Sequence, residues 1–571
     1  MNKYFQKFDF FQKKKIVFTI VSIFAIQLLV LIFIYGENWS IEVGLGLPLT
    51  YSYFLTDNYP YELIFKESDS HIQVFSKIPL IISFFFDDFN TKNLMLIGWG
   101  LFSASIYLLY LILKRTDEKL IWILIPLSAF VFNPIQYYTV LWAFALFVYA
   151  IPFFTTILMA YFLNKKNLGK KSFFIILIMG IIASFSNLAG IIVLISGLLP
   201  LIYKKEINKL VYWILGIIFV CTSYILIWSE KISEKILFSS ENQIEIFLKL
   251  IALPYGVKFD ILYSIVGIGV IILVIFSFIY IKKYQKIEIL MPWIQMAFVG
   301  FFVSGIITLG RGNVAYYYST LTDLFSLSLI GFIGLSLFYW KDSTHKNKNL
   351  IKIIFIMALI VLLALLVPSY YLGWKLADDF NVYETKRNSC FSLNPDKDIC
   401  NSDIYDLSKP SNYERFQIMN QLLKEKKGMF TDDSLDRLFS ENQKIYEEKL
   451  IKINYTELGF GKIKMINGIV NSNTIIIDGP LIEISGWILD KNKNPVEYMY
   501  IFSNDKALTK ISHFKEIQDD TNQIYSEWET HFLVEYLQEE CNNISIVGFV
   551  EDRKIIIDDK VILCKNIVLE N

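Results

Sequence analysis

Long apolar runs fill residues 16–374, and short alternating segments replace them further on. A helix that crosses about 30 Å of hydrocarbon needs roughly 20 apolar residues. Eleven runs meet or approach that length: 16–35, 94–113, 119–136, 141–163, 172–187, 188–203, 210–228, 260–281, 287–309, 319–340 and 351–373. The runs 119–136, 172–187 and 188–203 are short, and Pro126, Pro134 and Gly190 interrupt the pattern there. The first run spans 20 residues with no small-x-small site after it, so it reads as a retained span rather than a cleaved leader.

Beyond residue 374 the periodicity changes twice. In 413–427, Phe416, Met419, Leu422 and Leu423 form one helical stripe, and Gly428 follows as a stop. A second helix is predicted over about 433–450. Strands are predicted at 460–466, 474–478, 481–489, 497–503, 528–534, 543–550, 553–558 and 560–566, separated by Asn, Asp, Gly or Lys clusters. Ile482, Ile484, Gly486 and Ile488 alternate with Glu483, Ser485 and Trp487, which makes one face core. The predicted fold is an α-helical polytopic membrane protein of about eleven transmembrane helices, with a C-terminal α+β tail ending in a β-sandwich. The domains are 1–374 in the membrane, a helical linker region over 375–457, and the sandwich over 458–571.

Composition sharpens this. Of 571 residues, 54% are hydrophobic and 19% charged, with 54 basic residues against 54 acidic. That excludes a wholly soluble enzyme, a disordered chain and a nucleic-acid binder with a basic face. Charge placement sets orientation. With the N-terminus in the cytoplasm, the basic runs Lys13–Lys15, Lys114-Arg115, Lys165-Lys166, Lys170-Lys171, Lys204-Lys205 and Lys282-Lys283 all fall on inner connections. The tail is then extracytoplasmic, as are 36–93 and 229–259. Four of five cysteines lie in that tail, where an oxidising space sustains paired thiols. Adjacent pairing, Cys390–Cys400 and Cys541–Cys564, is the preferred one of three connectivities.

Charges beside spans are costly and mark functional candidates. The first outer connection is the densest source, with Glu67, Asp69 and His71 just before the apolar run 72–86. That run is too short to span and is expected at the interface, holding the three residues at headgroup level. Arg311, between Gly310 and Gly312, is expected in a short outer turn, where a guanidinium grips phosphate with a planar fork. An ion pair with Asp323 is the structural alternative. Gln136, in the turn 133–138, and Asn187, in 184–187, are candidate sugar contacts, against an ordinary interfacial aromatic belt. There is no P-loop, dinucleotide-binding glycine motif, His-Glu-x-x-His or metal-spaced cysteine set.

These motifs resemble the GT-C superfamily of integral-membrane glycosyltransferases. The acidic Glu67-Ser68-Asp69 in the first outer loop, the turn with Trp142, the Gly310-Arg311 turn and the strand Ser485-Gly486-Trp487 recur in that order in similar bacterial polytopic proteins. Two positions depart from the pattern. Ser70 stands where an acid is expected beside His71, and Tyr317-Tyr318 replace a second arginine. The resemblance implies an enzyme of the bacterial cytoplasmic membrane that uses a polyprenyl-phosphate sugar as donor substrate and no cofactor; no metal-ligating residues are assigned. It implies inverting transfer, with Asp69 or Glu67 as general base on an acceptor hydroxyl. Arg311 and His71 would stabilise the leaving phosphate, and Gln136, Trp142 and Asn187 would line the sugar site. The implied partners are the lipid bilayer, the polyprenyl-linked sugar and a glycan acceptor. The rival readings are a transporter or flippase of lipid-linked glycan, a non-catalytic scaffold, and another transferase, such as an acyltransferase, using the same outer pocket.

Overall fold

The computed structural model describes, isolated positions aside, residues 2–36, 73–87, 90–228, 243–255, 264–272, 287–311, 322–341 and 364–381, then strand segments between 455 and 565. These fall into two compact units, one ending at Asn381 and the other lying after it. The predicted helices at 413–427 and 433–450 lie outside the described residues.

The first unit is helical. Its elements are α1 (Asn2–Tyr35), α2 (Val74–Phe86), α3 (Thr91–Asp117), α4 (Leu124–Val131), α5 (Tyr137–Leu141), α6 (Ala143–Leu163), α7 (Lys170–Ser184), α8 (Ala189–Ser196), α9 (Leu198–Tyr203), α10 (Ile207–Trp228), α11 (Gln243–Ala252), α12 (Ile287–Arg311) and α13 (Thr322–Lys341). Helical backbone also covers 264–272 and 364–381. Among the described residues five stretches are long and apolar enough to cross a membrane: Lys14–Tyr35, Thr91–Leu141, Leu146–Leu163, Ile207–Leu226 and Ile287–Leu309. By length and composition this is a membrane protein. α6 and α12 are mostly buried, whereas α1 and α10 turn most of their surface outward. The outer surface of α10 is apolar, with Ile218, Phe219 and Leu226 exposed, as expected where lipid replaces water.

Two predicted runs are not single helices. The stretch 119–136 turns through a 3-10 segment at Glu118–Ile123, then forms the eight-residue α4. Asp117 starts the turn by accepting from the Lys119 amide, and Leu120 leaves helical geometry. The stretch 188–203 divides into α8 and α9 at Gly197. Among the described helices α12 and α13 pack closely. A Cβ on Gly331 would lie 2.5 Å from the Ala297 amide nitrogen, so only glycine permits this approach.

The second unit carries twelve described strands: β1 (Tyr455–Leu458), β2 (Phe460–Ile466), β3 (Ile469–Val470), β4 (Thr474–Ile477), β5 (Leu481–Leu489), β6 (Tyr498–Ser503), β7 (Lys506–Ile511), β8 (Lys515–Gln518), β9 (Ile524–Leu533), β10 (Cys541–Val550), β11 (Arg553–Ile556) and β12 (Val561–Lys565). They form two sheets, one running β3-β2-β5-β9-β8. The other is built on β10. β6 pairs along one edge of β10, while β12 and then β11 share its opposite edge. Ile482, Ile484 and Ile488 of β5 are buried. Gly461 of β2 lies against Ile557, just after β11, so the two sheets touch. Cys541 and Cys564 face each other across β10 and β12 and form a disulfide. Cys390 and Cys400 lie outside the described residues.

Candidate functional site

The helix α2 is built the opposite way from a helix in water. Gln73, Ser76, Lys77 and Ser83 fall on one side of it, and they are 5%, 0%, 4% and 4% exposed. The apolar Ile82 and Phe86 face out, 52% and 85% exposed. A short helix that buries its polar stripe and presents apolar side chains outward suits a lipid-facing position over a polar interior. α2 packs on α6 and α3. In α6, Thr155 is fully buried. Gln73 Oε1, Ser83 Oγ and Thr155 Oγ1 have no hydrogen-bond partner among the described residues. Polar atoms buried this way are costly unless something satisfies them.

The N-terminal end of α2 is seated on the 184–187 turn. The Phe75 amide donates to Phe185 O at 3.4 Å and Ser76 Oγ to Ser186 O at 3.2 Å. That turn is fixed from several sides. Tyr224 Oη donates to Ser184 O at 2.7 Å, and Ser184 Oγ donates to Gly190 O at 3.1 Å. Asn187 is buried, and its Oδ1 accepts from the Ala189 amide at 2.8 Å. Its side chain therefore shapes the turn at the entry to α8.

A second layer is formed by 133–142. Asn133 Nδ2 donates to Pro254 O and to Ser369 Oγ, both at 2.9 Å. Ser369 Oγ also reaches Pro254 O at 3.0 Å. Three segments remote in the chain are thereby tied at one buried point. Gln136 is buried, with Nε2 donating to Val131 O. Trp142 is half-buried at the start of α6, with its ring 5.2 Å from Tyr138. Tyr138 in turn meets Phe380 at 5.3 Å, edge to face. Tyr35, Tyr137, Trp374 and Phe380 pack around Leu31, Leu141 and Ala377, and Asn381 Nδ2 donates to Tyr35 O at 3.1 Å.

The sequence-predicted residues distribute as follows. Glu67, Asp69 and His71 lie outside the described residues. Arg311 is the last residue of α12, so Gly310-Arg311 ends a helix where a turn is predicted; its side chain and that of Asp323 lie outside the described set. Trp142 belongs to an aromatic cluster, while Gln136 and Asn187 spend polar atoms on nearby backbone. Among the described residues no group of three His, Cys, Asp or Glu could hold a metal ion. Sequence reasoning missed Lys77, Thr155, Pro254 and Ser369. The inverted stripe of α2 could have exposed Lys77, since Gln73, Ser76, Lys77 and Ser83 recur at helical spacing. Nothing in the sequence pairs Ser369 with Asn133.

In the strand unit the strongly held charge is Asp490, fully buried after β5. Its Oδ1 accepts from the amides of Asn492 at 2.8 Å and Asn494 at 2.7 Å, and Arg553 Nη1 lies 3.3 Å from Oδ2. Burial pushes this carboxyl up. The Asn494 and Asn492 hydrogen bonds and the Arg553 charge outweigh it and hold the pKa below the usual value. This arrangement closes a turn. Comparison with protein families, curated proteins and solved structures gives no match to this chain.

Proposed function

We propose that the chain is a GT-C-like membrane glycosyltransferase that moves a sugar from a polyprenyl-phosphate donor to an extracytoplasmic glycan or lipid-linked acceptor. In this reading eleven spans cross the bacterial cytoplasmic membrane, the N-terminus is cytoplasmic and the strand unit is an external β-sandwich. Asp69 or Glu67 takes the acceptor proton as the hydroxyl attacks the anomeric carbon. The bond from that carbon to the donor phosphate breaks, and the phosphate leaves as an anion, so no general acid is needed. Arg311 and His71 offset its charge. Trp142, Gln136 and Asn187 bound the sugar pocket.

The observation that carries the reading is α2. It opens at Val74, close after the acidic segment, turns a polar stripe with Lys77 inward and is anchored on the 184–187 turn. A polar lining behind an apolar exterior, entered from an acid-rich segment, suits a headgroup reaction at a membrane surface.

The test is transfer of labelled sugar from a polyprenyl-phosphate donor in membrane vesicles. Asp69→Asn and Arg311→Ala are each expected to lower transfer at least about a hundredfold at equal protein level. Full activity in Glu67→Gln, Asp69→Asn and Arg311→Ala alike would overturn the assignment.

A further inference from the structure

One end of the helical unit gathers positive charge that the proposed reaction does not use. There α3, α6 and α9 finish, and α7 and α10 begin. The Arg115 guanidinium lies 3.8 Å from the centre of the Tyr161 ring and donates to Tyr161 O at 2.8 Å. Lys165 Nζ lies 4.7 Å from the same ring and 4.1 Å from that of Phe162. Lys204 Nζ donates to Leu163 O at 2.7 Å and to Lys165 O at 2.6 Å. Lys209 donates to Leu168 O at 2.9 Å and pairs with Glu206 at 2.7 Å.

The C-terminal end of α6 carries negative partial charge and explains part of this gathering. It does not explain Lys165, whose ammonium meets aromatic rings among the described residues, nor the second cation on Tyr161. Among the described residues no carboxylate reaches ion-pair distance of Arg115, Lys165 or Lys204. Burial lowers the pKa of Lys204, against the pull of Glu206 and Glu288, with smaller contributions from Lys209 and Arg115. Arg115 and Lys165 share the Tyr161 ring, and Lys204 Nζ sits on the Leu163 and Lys165 carbonyls, so three cations meet at the end of α6. Beside it the surface is apolar: Ile202, Tyr203 and Ile207, which bracket Lys204, are all exposed. An anion that also brings hydrocarbon satisfies both features, and a soluble anion satisfies one.

We propose that this end of the protein binds the headgroup phosphate of an acidic phospholipid, with Arg115 and Lys165 gripping the phosphate, Lys204 beside them and the acyl chains along Tyr203 and Ile207. The lipid would tie together the ends of α3, α6 and α9. The proposal stands whether or not the chain transfers sugar.

The test uses the full chain in neutral detergent. It is titrated with phosphatidylglycerol, with phosphatidylcholine and with inorganic phosphate, and bound lipid is read by native mass spectrometry alongside thermal unfolding. Phosphatidylglycerol is expected to bind more tightly than phosphatidylcholine and to raise the unfolding temperature. The double variant Arg115→Gln/Lys165→Gln is expected to lose roughly tenfold or more of that affinity, while Arg115→Lys retains most of it. Equal binding of the two lipids would overturn the proposal. So would an unchanged preference in a double variant that still unfolds cooperatively in phosphatidylcholine. Equal stabilisation by inorganic phosphate would assign the cluster to a soluble anion instead and reject the lipid.

Discussion

Asn133 and Ser369 lie 236 positions apart, yet the amide nitrogen of one donates to the hydroxyl of the other at 2.9 Å. Both groups are buried, and both reach Pro254 O. Asn133→Ala would leave Pro254 O and the Ser369 hydroxyl bonded only to each other and would take the acceptor from the buried Ile135 amide, which donates to Asn133 Oδ1 at 3.0 Å, at a cost of about 1–3 kcal/mol. Ser369→Ala leaves the Asn133 bond to Pro254 intact and should cost about 1 kcal/mol. Thermal unfolding of the purified protein in detergent checks the order; equal losses would mean the three segments are not tied through Asn133.

The α12–α13 contact makes a sharper steric prediction. Gly331→Ala would drive a methyl group to 2.5 Å from the Ala297 nitrogen, whereas Gly305→Ala meets its nearest atom, on Phe247, at 3.9 Å. The first should destabilise by about 1–3 kcal/mol from overpacking. The second should be neutral or stabilising, since alanine is the better helix former. Unfolding midpoints measured side by side decide this, and equal midpoints would remove the close approach.

Asp490 predicts a pH dependence. Its folded pKa lies below the ordinary carboxylate value, so its contribution to stability is complete above that value. The contribution falls as pH drops through the ordinary value towards the folded one. Limited proteolysis of the strand unit in the full chain should therefore accelerate on acidification. Asp490→Asn should be less stable near neutral pH by about 1–3 kcal/mol and should lose part of the acid dependence.

The Cys541–Cys564 disulfide closes a loop with a sequence separation of 23. Reduction, or Cys541→Ser with Cys564→Ser, should cost the strand unit about 2–4 kcal/mol. Alkylation without reductant should label Cys221, the free thiol of α10, and spare Cys541 and Cys564. Labelling of that pair in protein taken from cells under non-reducing conditions would contradict both the bond and an extracytoplasmic location.

Local order was easier to read from the sequence than remote contact. The strand segments from 460 to 566 stood out because period-two alternation and turn residues are local signals, and β5 buries the isoleucines that alternation selects. The short strands β1, β3, β7 and β8 were missed, since Thr, Lys and Glu interrupt three of them and β3 spans only Ile469–Val470. Among the described apolar runs hydropathy marked helix but not where the helix breaks. Leu120 leaves helical geometry just after the charged stretch 114–119, and Gly197 divides the run 188–203, although the prolines and glycine that interrupt the pattern in the sequence are Pro126, Pro134 and Gly190. The candidate site was legible only as a set of chain segments. That the 184–187 turn supports α2 depends on backbone carbonyls, which every residue carries and no side-chain pattern marks.

The position of β10 has a consequence for shortened chains. Both of its edges are occupied, by β6 on one side and by β12 and β11 on the other. A chain stopped before Cys541 would lose that hub and leave β6 with a long bare row of amides and carbonyls. Such a row invites pairing with other molecules, so C-terminal truncation products should clump or be cleared by quality control instead of persisting as trimmed but working protein.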